Sequence, residues 1–584
     1  MWHNRRFTAC YIGMTVLALV AQLMIFRSTI LNYSPLGDIF PLIVHSTNYV
    51  NYVNPVEWFL QGYSQYFNPY PAWSEPATNF LRPLYNALLF VMYEIAGSNW
   101  NVYLLINYAF VSISIGLTAK LSVDYFGLRL RDSLLAGAML FVISFRLAVH
   151  YKPEFIMDAI SATFVAAAFL MCISSRLYLA VTFLVLGVLS KETLIWTPLA
   201  AFLTYVTAGS AGKQHDRRVV TRKAIRGLVL FFPLAVWVTL RLGAFGSLFS
   251  GVYMLNANEG LGRFLATLAK GMLRWPLGVE SSPAYLDEVR SLLAAERWTD
   301  IATLLLIGLN TLIAFACAYL LIRRWYTIYS TATIRIAALW VLPLLGAMTL
   351  FNMHPRFGYL YFMLSTPFML WSYRSARSIF VRITAGVWLV SVAVASVPSM
   401  VQAHQTFGLR LFEYQQSRRL LRLVMDAYAC DPSGTVYLVN DITGRYGASS
   451  IGALATRDHS LDFVVVNSLI PDHVPSVRDV SVATTSAGTE VLVAIACPTA
   501  FVFPNASGNV MFRTAQLDST GGFSILGNRD MRYSFPGGSF SRRVLTGNMV
   551  PIFGDTMRVL IPDASGHIVY LDRNGEYVAK RVKR

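Results

Sequence analysis

Cysteine is scarce, and its spacing excludes a whole class of chemistry. The chain of 584 residues holds only five. No CxxC pair or His/Cys cluster occurs, so a zinc site is not expected. Cys10, Cys172 and Cys317 fall inside apolar stretches and read as small core residues. Cys430 and Cys497 fall in the more polar last third, where they are either a candidate disulfide in an oxidising compartment or two free thiols. Acidic residues are also few, 31 against 48 Lys and Arg, for a formal net charge of +17. No basic stripe with interleaved aromatics accompanies that excess, which argues against a nucleic-acid partner. Internal repeats and low-complexity segments are lacking as well. After the basic pair Arg5-Arg6 an apolar block starts at Thr8, and no small-residue cleavage site follows it, so it reads as a retained first span rather than a cleaved signal.

What the chain has in abundance is apolar sequence. Hydrophobic residues make up 55%, above the usual soluble range of about 45–50%. They are concentrated in residues 1–401, where apolar blocks alternate with short polar gaps, whereas 402–584 resembles an aqueous domain. A membrane-spanning helix needs about 20 apolar residues. Candidates lie near 8–26, 101–121, 133–150, 157–174, 227–244, 300–322, 335–352, 357–373 and 383–401. The block 176–208 is too long for one span and is interrupted at Ser190-Lys191-Glu192, so it is expected to form two short helices meeting there. The expected fold is therefore a polytopic α-helical membrane protein with about eleven transmembrane helices and a soluble C-terminal α/β or α+β domain rich in β.

Charge decides the ambiguous apolar segment 83–97, which is short and contains Glu94. If it spanned, the connection holding Lys213, Arg217, Arg218, Arg222, Lys223 and Arg226 would be external. Treated as a juxtamembrane helix instead, it leaves the basic gaps on one side, with Arg5, Arg6, Lys120, Arg129, Arg131, Arg176, Arg323, Arg324, Arg335, Arg374, Arg377 and Arg382. Positive residues favour the cytoplasmic face. The N-terminus is then cytoplasmic, and the loops 27–100 and 245–299 and the domain 402–584 are external. Tyr49, Trp58, Tyr63, Tyr66, Tyr70 and Trp73 in the first loop suit a membrane interface or stacking on sugar faces. Leu261 to Leu277 reads as an interfacial amphipathic stretch. In the last domain a helix over about 408–429 is expected, then a strand at Thr435–Val439 and β-rich runs near 462–467, 490–497, 500–503 and 557–570.

This topology brings several charged residues to one membrane face. Asp38 follows the first span. Lys152, Glu154 and Asp158 lie between the third and fourth spans, and Lys191 and Glu192 at the tip of the split block. His354 and Arg356 lie between the ninth and tenth. Ionisable groups at a membrane boundary are costly without a task or partner. Carboxylates can act as general bases, and Lys and Arg can hold a phosphate. Plainer readings stand beside this one: Lys191-Glu192 as an exposed turn, Asp158 as a helix cap, and His354 and Arg356 as a solvated loop.

Four local motifs resemble the GT-C superfamily of membrane glycosyltransferases, near the protein O-mannosyltransferase and aminoarabinose transferase branch. They are Gly37-Asp38 after the first span, Arg82-Pro83-Leu84-Tyr85 through Ala96-Gly97-Ser98, Leu189-Ser190-Lys191-Glu192, and His354-Pro355-Arg356-Phe357 with Tyr359-Leu360. The resemblance covers about residues 1–401. It implies transfer of a sugar from a polyprenyl-phosphate donor to a glycan, lipid or protein acceptor on the external face, in a single inverting displacement. Asp38 would be the base, and Asp158, or Glu154 in its place, a second acid. Lys191, Arg356, Arg82 and Lys152 would bind the donor phosphate, with His354, Glu192 and Tyr359 nearby. Where several relatives carry Asp-Glu, this chain has Asp38-Ile39, which argues against a metal or paired-carboxylate role in the first loop. No cofactor is required by the sequence, and a divalent cation finds no support in it. Compact loops and the lack of a eukaryotic retention signal point to a bacterial inner membrane. The rival expectations are a transporter or flippase for a lipid-linked glycan and a noncatalytic glycan-assembly protein.

Overall fold

The computed structural model describes residues 2–32, 82–96, 101–146, 156–191, 194–207, 217–245, 358–375, 419–439 and strands between 462 and 582, with short gaps, together with isolated helical residues between 379 and 396. The chain divides into two compact units. One comprises Met1–Ile30, Thr78–Tyr85 and Val102–Thr406, and the other Leu31–Ala77, Asn86–Asn101 and Phe407–Arg584.

The first unit is helical. Its described helices are α1 (Trp2–Ile25), followed by the short α2 (Arg27–Asn32), α3 (Pro83–Ala96), α4 (Asn101–Asp124), α5 (Leu130–Arg146), α6 (Ile156–Ile173), α7 (Leu177–Ser190), α8 (Thr197–Thr207), α9 (Arg217–Gly227), α10 (Phe232–Phe245) and α11 (Gly358–Ser375). Only the start of α3 belongs to this unit. Among the described residues, three helical stretches are long and apolar enough to cross a membrane: Asn101–Asp124, Ile156–Ile173 and Arg218–Gly243. The basic stretch at 217–226, read from sequence as a plain connection, is itself helical and runs through a short 3-10 turn, Leu228–Phe231, straight into α10.

The helices expose aliphatic side chains and bury several polar ones within a largely apolar core. On α1 the side chains of Ile12, Val16, Leu17, Val20 and Met24 are exposed, while Gln22 is fully buried. On α4 Leu105 and Ile113 face outward, whereas Asn107, Ser112, Ser114, Thr118 and Ser122 are buried. Water would reverse this arrangement. Hydrocarbon favours it, because polar side chains then find partners only within the bundle. Thr118 and Ser122 donate back to carbonyls one turn earlier, at 2.8 and 2.7 Å. Gln22 reaches Ser112 Oγ at 2.6 Å and the Tyr108 carbonyl at 3.3 Å, tying α1 to α4. At Gly116 α1 and α4 approach so closely that a Cβ would collide with the Thr15 side chain and lie 3.1 Å from the Tyr11 carbonyl.

Pairing across helices fixes their directions. Gln22 near the end of α1 meets the first third of α4. Ser133 at the start of α5 donates to the Ala119 carbonyl late in α4, at 2.5 Å. Arg374 at the end of α11 grips Asp132 at the start of α5 through Nε at 3.2 Å and Nη2 at 2.8 Å. The C-terminal ends of α1 and α5 and the N-terminal end of α4 therefore lie towards one pole, while α11 begins beside the middle of α4, where Tyr359 meets Ser114. Lys120, Arg129, Arg131 and Arg374 gather at the other.

The second unit carries two six-stranded sheets. The first has the order β12-β11-β1-β2-β9-β8, parallel in its centre and antiparallel at both edges. Its strands are β1 (Thr435–Val439), β2 (Asp462–Val465), β8 (Asp530–Phe535), β9 (Gly538–Val544), β11 (Gly566–Leu571) and β12 (Tyr577–Val582). The continuous apolar run of β1 is what a strand buried on both faces needs, and Val436, Tyr437 and Leu438 are buried. The other sheet is built on β5 (Gly488–Pro504), flanked by β3 (Ser468–Leu469), β4 (Val477–Thr485) and β10 (Met549–Ile561), with β7 (Gly522–Ser524) and β6 (Gln516–Leu517) beyond β10. The runs near 490–497 and 500–503 thus belong to one long strand. The helix over residues 419–427 is fastened to β12 by Arg419, which pairs with Glu576 at 2.7 Å and donates to the Tyr577 carbonyl at 3.0 Å. Cys430 is a free, exposed thiol, so the candidate bridge to Cys497 is not formed. Cys430 lies at the end of this helix beside the first sheet, whereas Cys497 sits within β5 of the second. The Cys497 side chain lies outside the described residues.

Candidate functional site

The site begins where the block 176–208 breaks. α7 is apolar throughout and stops at Ser190. Lys191 then turns to an extended conformation, with φ −158° and ψ 117°, while its N–H still reaches the Gly187 carbonyl at 3.1 Å. The chain resumes as α8, whose first residue Thr197 donates to the Leu194 carbonyl at 2.6 Å. The break frees Lys191 from the helix face and turns it inward. It is 3% exposed, which excludes the exposed-turn reading.

Its partner is Asp158, in the first turn of α6 and 5% exposed. Lys191 Nζ forms an ion pair with Asp158 Oδ1. The carboxylate is therefore committed to Lys191 rather than to capping α6. Asp158 Oδ2 is buried without a hydrogen-bond partner. Arg82, also buried, donates from Nη1 to the sulfur of Met157 at 3.0 Å, one residue from Asp158. A thioether is a weak acceptor for a guanidinium. Charges buried in this way are little screened by water, which strengthens their interactions with one another.

Of the residues expected from sequence, Asp158 and Lys191 are paired, and Arg82 is buried against Met157, the neighbour of Asp158 on α6. Tyr359 serves packing. It is fully buried, and its hydroxyl lies 2.5 Å from Ser114 Oγ on α4. Ser114 already donates to the Val111 carbonyl at 2.7 Å, so the phenol is the donor. Asp38, Lys152, Glu154, Glu192, His354 and Arg356 lie outside the described residues, as do the aromatic cluster of the first loop and Leu261 to Leu277.

The sequence reading passed over Arg241. It is fully buried in α10 with its guanidinium 5.4 Å from the Trp237 ring, a cation-π contact. The available signal was an arginine inside an otherwise apolar span, which averaging over a hydropathy window hides. No group of three or more potential metal ligands occurs among the described residues.

Compared with protein-family models, the chain matches none, and a search of curated proteins returns no match. Among the described residues, helices able to cross a membrane and a buried Asp158–Lys191 ion pair are the features that bear on function.

Proposed function

We propose that this chain is a membrane glycosyltransferase of the GT-C kind, taking a sugar from a polyprenyl-phosphate donor and passing it to a glycan, lipid or protein acceptor. The observation that supports the reading best is the buried pairing of Asp158 with Lys191, with Arg82 buried against the neighbouring Met157. These are residues that the resemblance assigns to the site. In the reaction, the acceptor's proton passes to Asp38 and its oxygen bonds to the sugar's anomeric carbon. The bond from that carbon to the phosphate breaks, and its electron pair leaves with the polyprenyl phosphate. Lys191 and Arg82 stabilise the charge that grows on the departing phosphate. Asp158 holds Lys191 in place before the donor arrives.

The proposal includes a topology of about eleven spans, an N-terminus on the cytoplasmic side of a bacterial inner membrane, and the domain 402–584 outside. A tag at residue 214 should then label from the cytoplasm and a tag at 584 from outside. The test of function is transfer from a synthetic polyprenyl-phosphate sugar to a membrane acceptor extract. Asp38→Asn and Lys191→Met should each lose turnover. Equal turnover by Asp38→Asn and wild type would remove the assigned base.

One observation favours a second reading. Arg241 is a charge buried within a span, as transporters of charged substrates require. Movement of a lipid-linked glycan across proteoliposomes, without transfer, would favour that reading over ours.

A further inference from the structure

At the basic pole of the helical unit lies a cavity of about 700 Å³, walled by Tyr373 and Arg374 from the end of α11 and by Ile379, Arg382, Ile383, Gly386, Val387 and Val390 from the segment that follows. It is distinct from the Asp158–Lys191 corner, because neither of those residues lines it.

Its wall is chemically divided. Arg374 is fixed rather than free to swing: Nε and Nη2 both donate to Asp132 Oδ1, and its guanidinium lies 5.6 Å from the Tyr373 ring. This clamp occupies one edge of the fork and leaves Nη1 for another acceptor. Arg382 supplies a second guanidinium at the rim. The remaining wall is aliphatic and outward-facing, with Ile379, Ile383 and Val390 at 68, 58 and 62% exposure. Gly386 keeps the cleft open, since a Cβ there would press on the Tyr373 ring at 3.3 Å. Exposed aliphatics beside one clamped guanidinium and a second at the rim suit a ligand that is anionic at one end and hydrocarbon along its length. Arginine forks match phosphate oxygens, and basic pockets at the ends of transmembrane helices suit acidic lipid headgroups.

We infer that this cavity is a binding site for an anionic phospholipid, its phosphate held by Arg374 and Arg382 and its acyl chain laid along Ile379, Ile383 and Val390. The site is independent of the transferase reading. It would anchor the end of α11 to the bilayer surface and bias the membrane composition in which the protein is stable.

The test uses the full chain, purified in neutral detergent and titrated with phosphatidylglycerol or phosphatidylcholine of matched acyl chains. Bound lipid is counted by native mass spectrometry. Wild type should retain phosphatidylglycerol about tenfold better, the effect expected of one charge-assisted hydrogen-bonded pair. Arg382→Gln, an exposed position that the fold tolerates, should lose that preference. Gly386→Leu, which fills the cleft, should reduce retention of both lipids. Equal retention of the two lipids by wild type would overturn the inference. So would a preference that survives both substitutions, or competition by glycerol 3-phosphate as effective as that by the intact lipid.

Discussion

Asp158→Asn leaves the Lys191 ammonium at 3% exposure with its counter-charge removed. Removing one partner of a buried ion pair typically costs about 3–5 kcal/mol, because the remaining charge keeps its desolvation penalty without the attraction that offset it. Replacing both partners by apolar groups of similar size is often neutral or stabilising by about 1–4 kcal/mol. Asp158→Asn should therefore be strongly destabilising and Asp158→Leu with Lys191→Met much less so. At an unfolding entropy of about 2.1 cal/mol/K per residue, each kcal/mol moves the melting temperature of a unit this large by about 1–2 °C, so the single variant should melt roughly 5 °C lower, with the double variant near wild type. The assay is thermal unfolding of the full chain in one detergent, with the single substitutions at both positions completing the cycle. If Asp158→Asn melts with wild type, or the double variant melts lowest of all, the pair is not a buried charge compensation and the description of the corner fails. A polyprenyl phosphate added to Asp158→Asn should restore part of the loss, because an anion that binds only the folded state stabilises it.

Two further outcomes follow from packing and burial. Gly116→Leu should drive α1 from α4, since even a Cβ collides with Thr15; overpacking of this kind costs about 1–3 kcal/mol, and cysteine crosslinking between the helices should fall with it. In the second unit His567, on β11, has its pKa lowered by burial, with Arg581 opposite it adding to the effect. A histidine whose folded pKa lies below its unfolded value binds more protons when unfolded. Stability is therefore full above the unfolded pKa of about 6.5 and declines as pH falls towards the folded value. Amide protection factors in β11 and β12, taken relative to the intrinsic exchange rate at each pH, should fall between pH 7.5 and 5.5 in wild type and change less in His567→Gln; an equal fall in both would refute the assignment.

How much of this could be read from the chain differs from feature to feature. The break at Lys191 was legible because a charged pair interrupts an apolar run too long for one helix. Thr435–Val439 was legible because five β-formers stand between turn residues. The pairing of Asp158 with Lys191 was not. Periodicity places each near a helix end, but contact depends on how α6 and α7 cross, and only packing fixes that. β5 read as two runs because Pro498 interrupts the pattern; the strand passes through it and pairs with β10 on either side, with a shift in register between Gly554 and Thr556. Arg241 was hidden by its apolar neighbours. The sheet order, with β11 reached from the far end of the chain to lie beside β1, has no local signature at all.

The brevity of α7 and α8 has a consequence for the bilayer itself. At 14 and 11 residues and a rise of 1.5 Å per residue they are about 21 and 17 Å long, against a hydrocarbon core near 30 Å. Neither can reach from one headgroup layer to the other, so a bilayer crossed by them would have the break at Lys191 within its hydrocarbon depth. Irregular backbone is tolerated there only where protein covers it, and the burial of Ser190, Lys191 and Leu194 supplies that cover. On the proposed transferase reading, a long-chain phosphate would have to sink below the ordinary headgroup plane to reach the lysine.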